Sequence, residues 1–293
     1  MDFTSTGLIS QIKRRALIPT SQNLFSNSDF IDMLNEELQN RIVTYIMSVR
    51  EDYLLKYNDI LQDGSTKEFT IPYNAIGNKL NSVSLYDNSN PNNFNITNVP
   101  RLALSQINEM AGYYLEGNKI KVTPQAFNSG YLRVYYYRRP SDIVPLTSVG
   151  LISSIVTNTS ITCASLPNTI TTGTEIDIVS NDSPFQTIKS VTAGTVAGSV
   201  INLSDTSDIE TGFYVCLRDQ SPYAQIVQDV IPLLIQAVVV RIMEYMGDTN
   251  GLQAALLTYA QMESDNRNLI SPRVDGQPKK IVSSKRLQRH LVW

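Results

Sequence analysis

The hydrophobic period changes twice along this chain, and that change limits the possible folds more than any other feature. Apolar residues recur every three or four positions towards both ends and every second position between them. The first spacing draws one apolar stripe along a helix, and the second draws one apolar face on a strand. Over residues 8–17, Leu8, Ile9, Ile12, Ala16 and Leu17 share a helical face. Lys13, Arg14 and Arg15 sit near its C-terminal end, where cations oppose the helix dipole, and Pro19 stops it. A second helix is expected to start near residues 26–28 and to pack through Phe30, Ile31, Leu34, Leu38, Ile42, Tyr45, Ile46 and Val49. Its acids, Glu36 and Glu37 included, read as a solvated face. Far along the chain, Leu233, Leu234, Ala237, Val238, Ile242, Tyr245 and Met246 mark a long helix with Pro232 in its first turns. Gly247-Asp-Thr-Asn-Gly is a tight connector, and residues 252–269 complete a helical hairpin.

Strands are expected between these helices. Tyr53-Leu-Leu-Lys-Tyr and Glu68-Phe-Thr-Ile-Pro read as two strands joined by a turn at Gln62-Asp-Gly-Ser, and residues 79–86 as a third. Residues 88–98, rich in Asn and Pro, read as a loop, and residues 101–110 as a short helix. A hairpin turns about Glu116-Gly-Asn, and residues 131–138 form a strand. Within that strand, two of Tyr135, Tyr136 and Tyr137 should enter packing and one should be exposed. Residues 143–218 hold short β-branched runs punctuated about every 8–12 residues, with six acids and two bases. The expectation is an α+β protein: a helical bundle formed by the N- and C-terminal helices, a β-rich middle, and an inserted small β-barrel or sandwich. Its parts would be residues 1–52, the N-terminal helices; 53–142, the β-rich region; 143–218, the inserted domain; 219–270, the C-terminal helical hairpin; and 271–293, an extended basic arm.

Charge is divided unevenly. Residues 277–293 carry Lys279, Lys280, Lys285, Arg286, Arg289 and His290 with no acid. Taking these five Lys/Arg charges from the total of −3 leaves residues 1–276 at −8. The same stretch holds Leu287 and ends in Leu291, Val292 and Trp293, the chain's single tryptophan. A basic strip with an aromatic end cannot bury itself as a core element, so it reads as an arm for another surface. The acidic remainder argues against a general nucleic-acid binder. Only 17% of the residues are charged, which suits a surface that packs against copies or partners. Cys163 and Cys216 make no disulfide framework or metal cluster and read as core residues in a reducing compartment. No signal peptide is expected from the opening residues. The most apolar stretch, 230–243, is interrupted by Gln236 and Arg241 and is too short to span a membrane, so the protein should be cytoplasmic where it is made.

No catalytic, cofactor or metal residues are expected. His290, the single histidine, has no acidic neighbour for a triad or metal shell. Gly247-Asp-Thr-Asn-Gly lacks the Lys-Ser/Thr ending of a phosphate loop and most ligands of a calcium loop. Glu36 and Glu37 are adjacent on a helix, about 100° apart, and so do not form an acid–base dyad. Tyr135 to Tyr137 followed by Arg138-Arg139 invites a base-stacking reading, but strand alternation favours packing.

Several segments, taken in order, resemble the head-to-tail adaptor (connector) proteins of short-tailed and related tailed bacteriophages. These are Ile12-Lys-Arg-Arg-Ala-Leu-Ile-Pro-Thr-Ser, then Asp29-Phe-Ile and Leu34-Asn-Glu-Glu-Leu, Ile71-Pro-Tyr-Asn-Ala-Ile-Gly-Asn-Lys-Leu, Tyr114-Leu-Glu-Gly-Asn-Lys-Ile, Tyr136-Tyr-Arg-Arg-Pro, Gly247-Asp-Thr-Asn-Gly-Leu and Arg273-Val-Asp-Gly-Gln-Pro-Lys-Lys. The resemblance runs over about residues 7–285. It implies a virion protein at the head–tail junction: a ring of copies, a dodecamer matched to the portal protein, that extends the DNA channel and carries the tail nozzle. It also implies an arm, Lys279 to Trp293 as named above, docked on the portal, with Arg14 and Arg15 as candidate channel-lining residues. Double-stranded DNA would pass without sequence recognition. Relatives with a muramidase domain are not matched, because no paired carboxylates in a suitable context occur. The rival readings are a β-rich tail or receptor-recognition component binding through residues 143–218, a cell-wall hydrolase, and a DNA-binding module. The first would need exposed aromatics on that block, which has only Phe185, Phe213 and Tyr214.

Overall fold

A computed structural model describes residues 2–19, 24–87, 95–107, 109–123, 130–156 and 159–271. The docking-arm residues all lie outside these. The chain is α+β. Helix α1 (Ser5–Arg15) starts where Thr4 Oγ1 accepts the Gly7 amide at 3.3 Å. It ends two residues before Leu17, which takes φ +53° and is 87% exposed. Leu17 therefore leaves the buried face that the 3.6 spacing assigned to it. Helix α2 (Asn27–Glu37) opens with a capping box between Ser26 and Asp29. It runs through a π-type turn at Leu38–Ile42 into α3 (Val43–Val49). Helix α4 (Ile231–Met246) has Pro232 in its first turn and closes on Gly247 at φ +67°, a left-handed position that suits glycine. Asp248 then caps α5 (Thr249–Ile270) by accepting the Gly251 amide.

Helix α4 is buried almost all round up to Val240, because α1, α2 and α5 pack against it, while Tyr245 and Met246 in its last turn are exposed. One hydrophobic core joins Leu8, Phe30, Ile42, Leu234 and Ile270, so the first and last helices share it. Among the described residues no helix is long and apolar enough to cross a membrane.

The first β region holds two antiparallel sheets. Strands β1 (Leu55–Leu61), β3 (Ala75–Asp87), β4 (Asn95–Val99) and β7 (Tyr131–Arg138) form one in the order β1-β7-β3-β4. Strands β2 (Glu68–Thr70), β5 (Gly112–Glu116) and β6 (Lys119–Thr123) form the other in the order β2-β6-β5. Both sheets contribute to one core, with Val83, Leu132 and Val134 from the first and Phe69, Ile120 and Val122 from the second. Three expectations fail here. The turn at residues 62–65 does not close a hairpin: Asp63 Oδ1 accepts the Ser65 and Thr66 amides at 2.9 and 2.7 Å and passes the chain from one sheet to the other. Residues 95–99 are a strand, held by β3 and by a Ser84–Asn98 hydrogen bond of 3.1 Å. Among the described residues of 101–110 there is only a short turn, at Leu104–Gln106, because the backbone beside it is committed to β5 through Leu102 N to Tyr113 O at 2.8 Å.

The chain then crosses at β8 (Asp142–Ile143) into β9 (Gly150–Val156), β10 (Ser160–Cys163), β11 (Glu175–Val179), β12 (Thr187–Thr192), β13 (Val196–Ala197), β14 (Val200–Asn202) and β15 (Tyr214–Leu217), and returns through β16 (Gln220–Ser221). Strands β8 and β16 lie parallel, Asp142 against Gln220 and Ile143 against Ser221, so the excursion leaves and returns at one place. Its seven strands follow the order β12-β11-β15-β9-β10-β14-β13. The order has two ends, so the sheet is not closed into the barrel that was one expectation. Its two halves share a core of Ile152, Ile161, Ile176, Ile178, Ile201 and Val215. One end is not separate from the rest: Val149, Val179, Phe185 and Cys216 belong to the helical core.

Candidate interaction surfaces

Register decides which side chains share the outer face of the four-stranded sheet. Tyr57 lies opposite Tyr135, Asp59 opposite Arg133, and Leu61 opposite Tyr131; across β3, Tyr131 meets Tyr86 and Arg133 meets Ser84. Directly opposed residues project to the same side. The alternate residues Leu132, Val134 and Tyr136 enter the core, so the Tyr57 side is the outer one. On it the Arg133 guanidinium sits 4.1 Å from the ring centre of Tyr57 and 4.4 Å from that of Tyr86. Arg133 also makes two bonds to Asp59, at 2.7 and 2.8 Å, which hold it more firmly protonated than a free arginine. Tyr57 packs on Tyr135 at 5.9 Å and Tyr86 on Tyr131 at 6.3 Å. Tyr57 is 56% exposed, Leu61 68% and Ile96 52%.

The result is a prebuilt Tyr–Arg–Tyr surface whose one cation is neutralised by its own aspartate. Aromatic and arginine side chains are the residues enriched at protein interfaces. A surface for DNA would instead need free positive charge. The outer face of the three-stranded sheet differs: Glu68, Lys119, Lys121 and Glu116 form a compensated ion-pair ladder with contacts of 2.6–3.1 Å.

The sequence-selected residues fall as follows. Arg14 and Arg15 are exposed on the last turn of α1. Arg15 is committed, since Nη1 donates to the Pro232 carbonyl at 3.1 Å and ties α1 to the start of α4; burial, then Arg14, lowers its pKa. Arg14 lines a cleft of about 620 Å3 with Lys13, Asn27 and residues 145–147. Tyr136 and Tyr137 are buried and Tyr135 is half-buried, so two of the three do pack. Glu37 corrects the solvated-face reading of Glu36-Glu37. It is 4% exposed and lies 3.3 Å from both Arg41 and Arg241, while Glu36 pairs with Arg241. Burial raises the Glu37 carboxyl above its ordinary 4.5, against the pull of both arginines.

Phe185 and Phe213 are buried, and Tyr214 packs edge-on against Tyr223, which stacks on Phe185 at 4.5 Å. The excursion's named aromatics are therefore spent inside the molecule. Among the described residues no cluster of three His, Cys, Asp or Glu side chains could hold a metal. No family model matches the chain, and no curated protein matches it.

Proposed function

We propose that this chain is a structural, non-enzymatic head-to-tail adaptor of a phage virion, forming a dodecameric ring under the portal that extends the DNA channel and joins the tail. The observation that carries the reading is the division of charge: residues 1–276 sum to −8, and the following stretch is basic and ends in Leu291, Val292 and Trp293. That stretch follows α5, whose last residue, Ile270, is anchored in the core shared by all the helices. We read these helices as a bundle forming the ring wall, and residues 143–218 as an inserted sandwich-like unit on its flank.

The arm would dock on acidic portal crevices through Lys279, Lys280, Lys285, Arg286, Arg289 and His290, with Leu287, Leu291, Val292 and Trp293 as apolar anchors. Ordering such an arm costs part of the interface energy, and several arms on one portal recover it through avidity. Arg14 is the better placed of the two candidate channel-lining residues, because Arg15 already bonds within the chain. The neutral Tyr–Arg face supports a protein-facing surface in the assembly. The receptor-recognition rival loses its aromatic platform, since Phe185 and Phe213 are buried.

The test compares the full chain with a version ending at Gly276 and with Trp293→Ala, each mixed with the cognate portal and analysed by light scattering. The expected result is a portal complex with the full chain, a weakened one with Trp293→Ala, and none with the truncation. Undiminished binding by the truncated chain would remove the arm from the docking mechanism.

A further inference from the structure

A small cavity of about 180 Å3 lies where three parts of the molecule meet: α3 and the turn after it, the facing ends of β1 and β7, and the loop between β11 and β12. Residues 225–227 before α4 close its remaining side. Its lining carries three cations, Lys56, Arg138 and Arg139, and one acid, Asp52. Asp52 is already occupied, because Arg50 Nε contacts both of its carboxylate oxygens at 3.2 Å.

The hydrogen bonding at this cavity is short of acceptors. Lys56 Nζ bonds to Gln186 Oε1, a neutral partner, which leaves ammonium hydrogens over. Arg138 Nε is buried without a partner, although its Nη2 reaches Asp177 at 3.4 Å and Asp219 at 3.5 Å. Gln225 is already engaged at both ends, its Oε1 taking the Ser141 amide and its Nε2 donating to Thr187, and it carries no charge to offset the cations. Arg138 is partly compensated by Asp177 and Asp219, but the half-buried Lys56 has no carboxylate partner among the described residues, a costly arrangement unless an anion completes it. The cost registers in Lys56 itself: burial first, and Arg138 second, lower its pKa.

We infer that this cavity is a binding site for a small oxyanion, held between the Lys56 ammonium and the Arg138 guanidinium. A water occupies about 30 Å3 of liquid volume, so the space admits a phosphate-sized anion with some water. Charge-assisted bonds from Lys56 and Arg138 would supply the affinity. Because the lining comes from three parts of the fold, an anion there also fastens the excursion β9–β15 to the four-stranded sheet and the helices. The inference is independent of the adaptor reading.

The experiment titrates the full chain with inorganic phosphate, and separately with acetate, by calorimetry at ionic strength fixed with potassium chloride. Wild type, Lys56→Met and Lys56→Arg are compared, and thermal transitions in chloride show that each is folded. Phosphate should bind at one site, Lys56→Met should weaken it about tenfold or more, and Lys56→Arg should retain most of it. Hydrogen exchange over residues 184–187 and 225–227 should slow in the wild type when phosphate is added. Competition by acetate assigns a site that accepts carboxylates as well; binding of phosphate alone assigns a tetrahedral one. No heat and no slowed exchange with either anion would overturn the proposal, as would equal affinity in a folded Lys56→Met.

Discussion

Cys163 and Cys216 are both buried and unpaired. Burial pushes the Cys163 thiol up to about 11, and burial with the Asp177 charge pushes Cys216 higher still. Both are therefore protonated at neutral pH and poor nucleophiles. A maleimide reagent should label neither in the folded chain and both in denaturant; fast native labelling would contradict the packing described. Glu37 makes a second test. A carboxyl whose folded pKa is raised binds its proton more tightly folded than unfolded, so its contribution favours the fold at pH below 4.5 and is lost as pH rises through the folded value. Glu37→Gln should flatten that part of the stability–pH curve measured by denaturant unfolding. An unchanged curve would mean that the two arginines, not burial, govern the group. The burial of the cysteines was legible from their residue type and apolar neighbours. That of Glu37 was not, because its arginine partner Arg241 is far along the chain.

At the scale of elements, the helices were readable because each writes its own signals. Ser26 and Asp29 cap α2, and Gly247 and Asp248 separate α4 from α5. Ser26→Ala should cost about 1 kcal/mol in chemical denaturation. The strand runs of the excursion were likewise local. Pairing was not local: β1 looked like the partner of β2, yet it pairs with β7, and the Tyr–Arg face exists only because Tyr57, Arg133 and Tyr86 come together from three strands. The clasp between β7 and the excursion is equally non-local. Asp177 is fully buried and accepts from Ser190 at 2.6 Å and from the Asp219 amide at 3.0 Å, with Arg138 beside it. Removing the cation leaves a buried charge poorly matched, so Arg138→Met should destabilise the chain by about 3 kcal/mol. A loss under about 1 kcal/mol would show that the clasp is dispensable.

For the whole molecule, the meeting of the first and last described helices in one core was anticipated by the return of the helical period after Ser221, and the open seven-stranded sheet was not, since closure depends on edge geometry that no single strand encodes. If the Tyr–Arg face meets protein in the virion, Tyr57→Ser with Leu61→Ser should leave the free chain's melting temperature nearly unchanged and weaken assembly on the portal. An assembly curve identical to wild type would remove that face from the interface. The central claim, that this chain completes a ring beneath the portal, is tested most directly by the mass of the complex that the full-length chain forms with its cognate portal, determined by light scattering. The account predicts a closed complex with one copy of this chain for each portal subunit. An intact portal that acquires no added mass would contradict it.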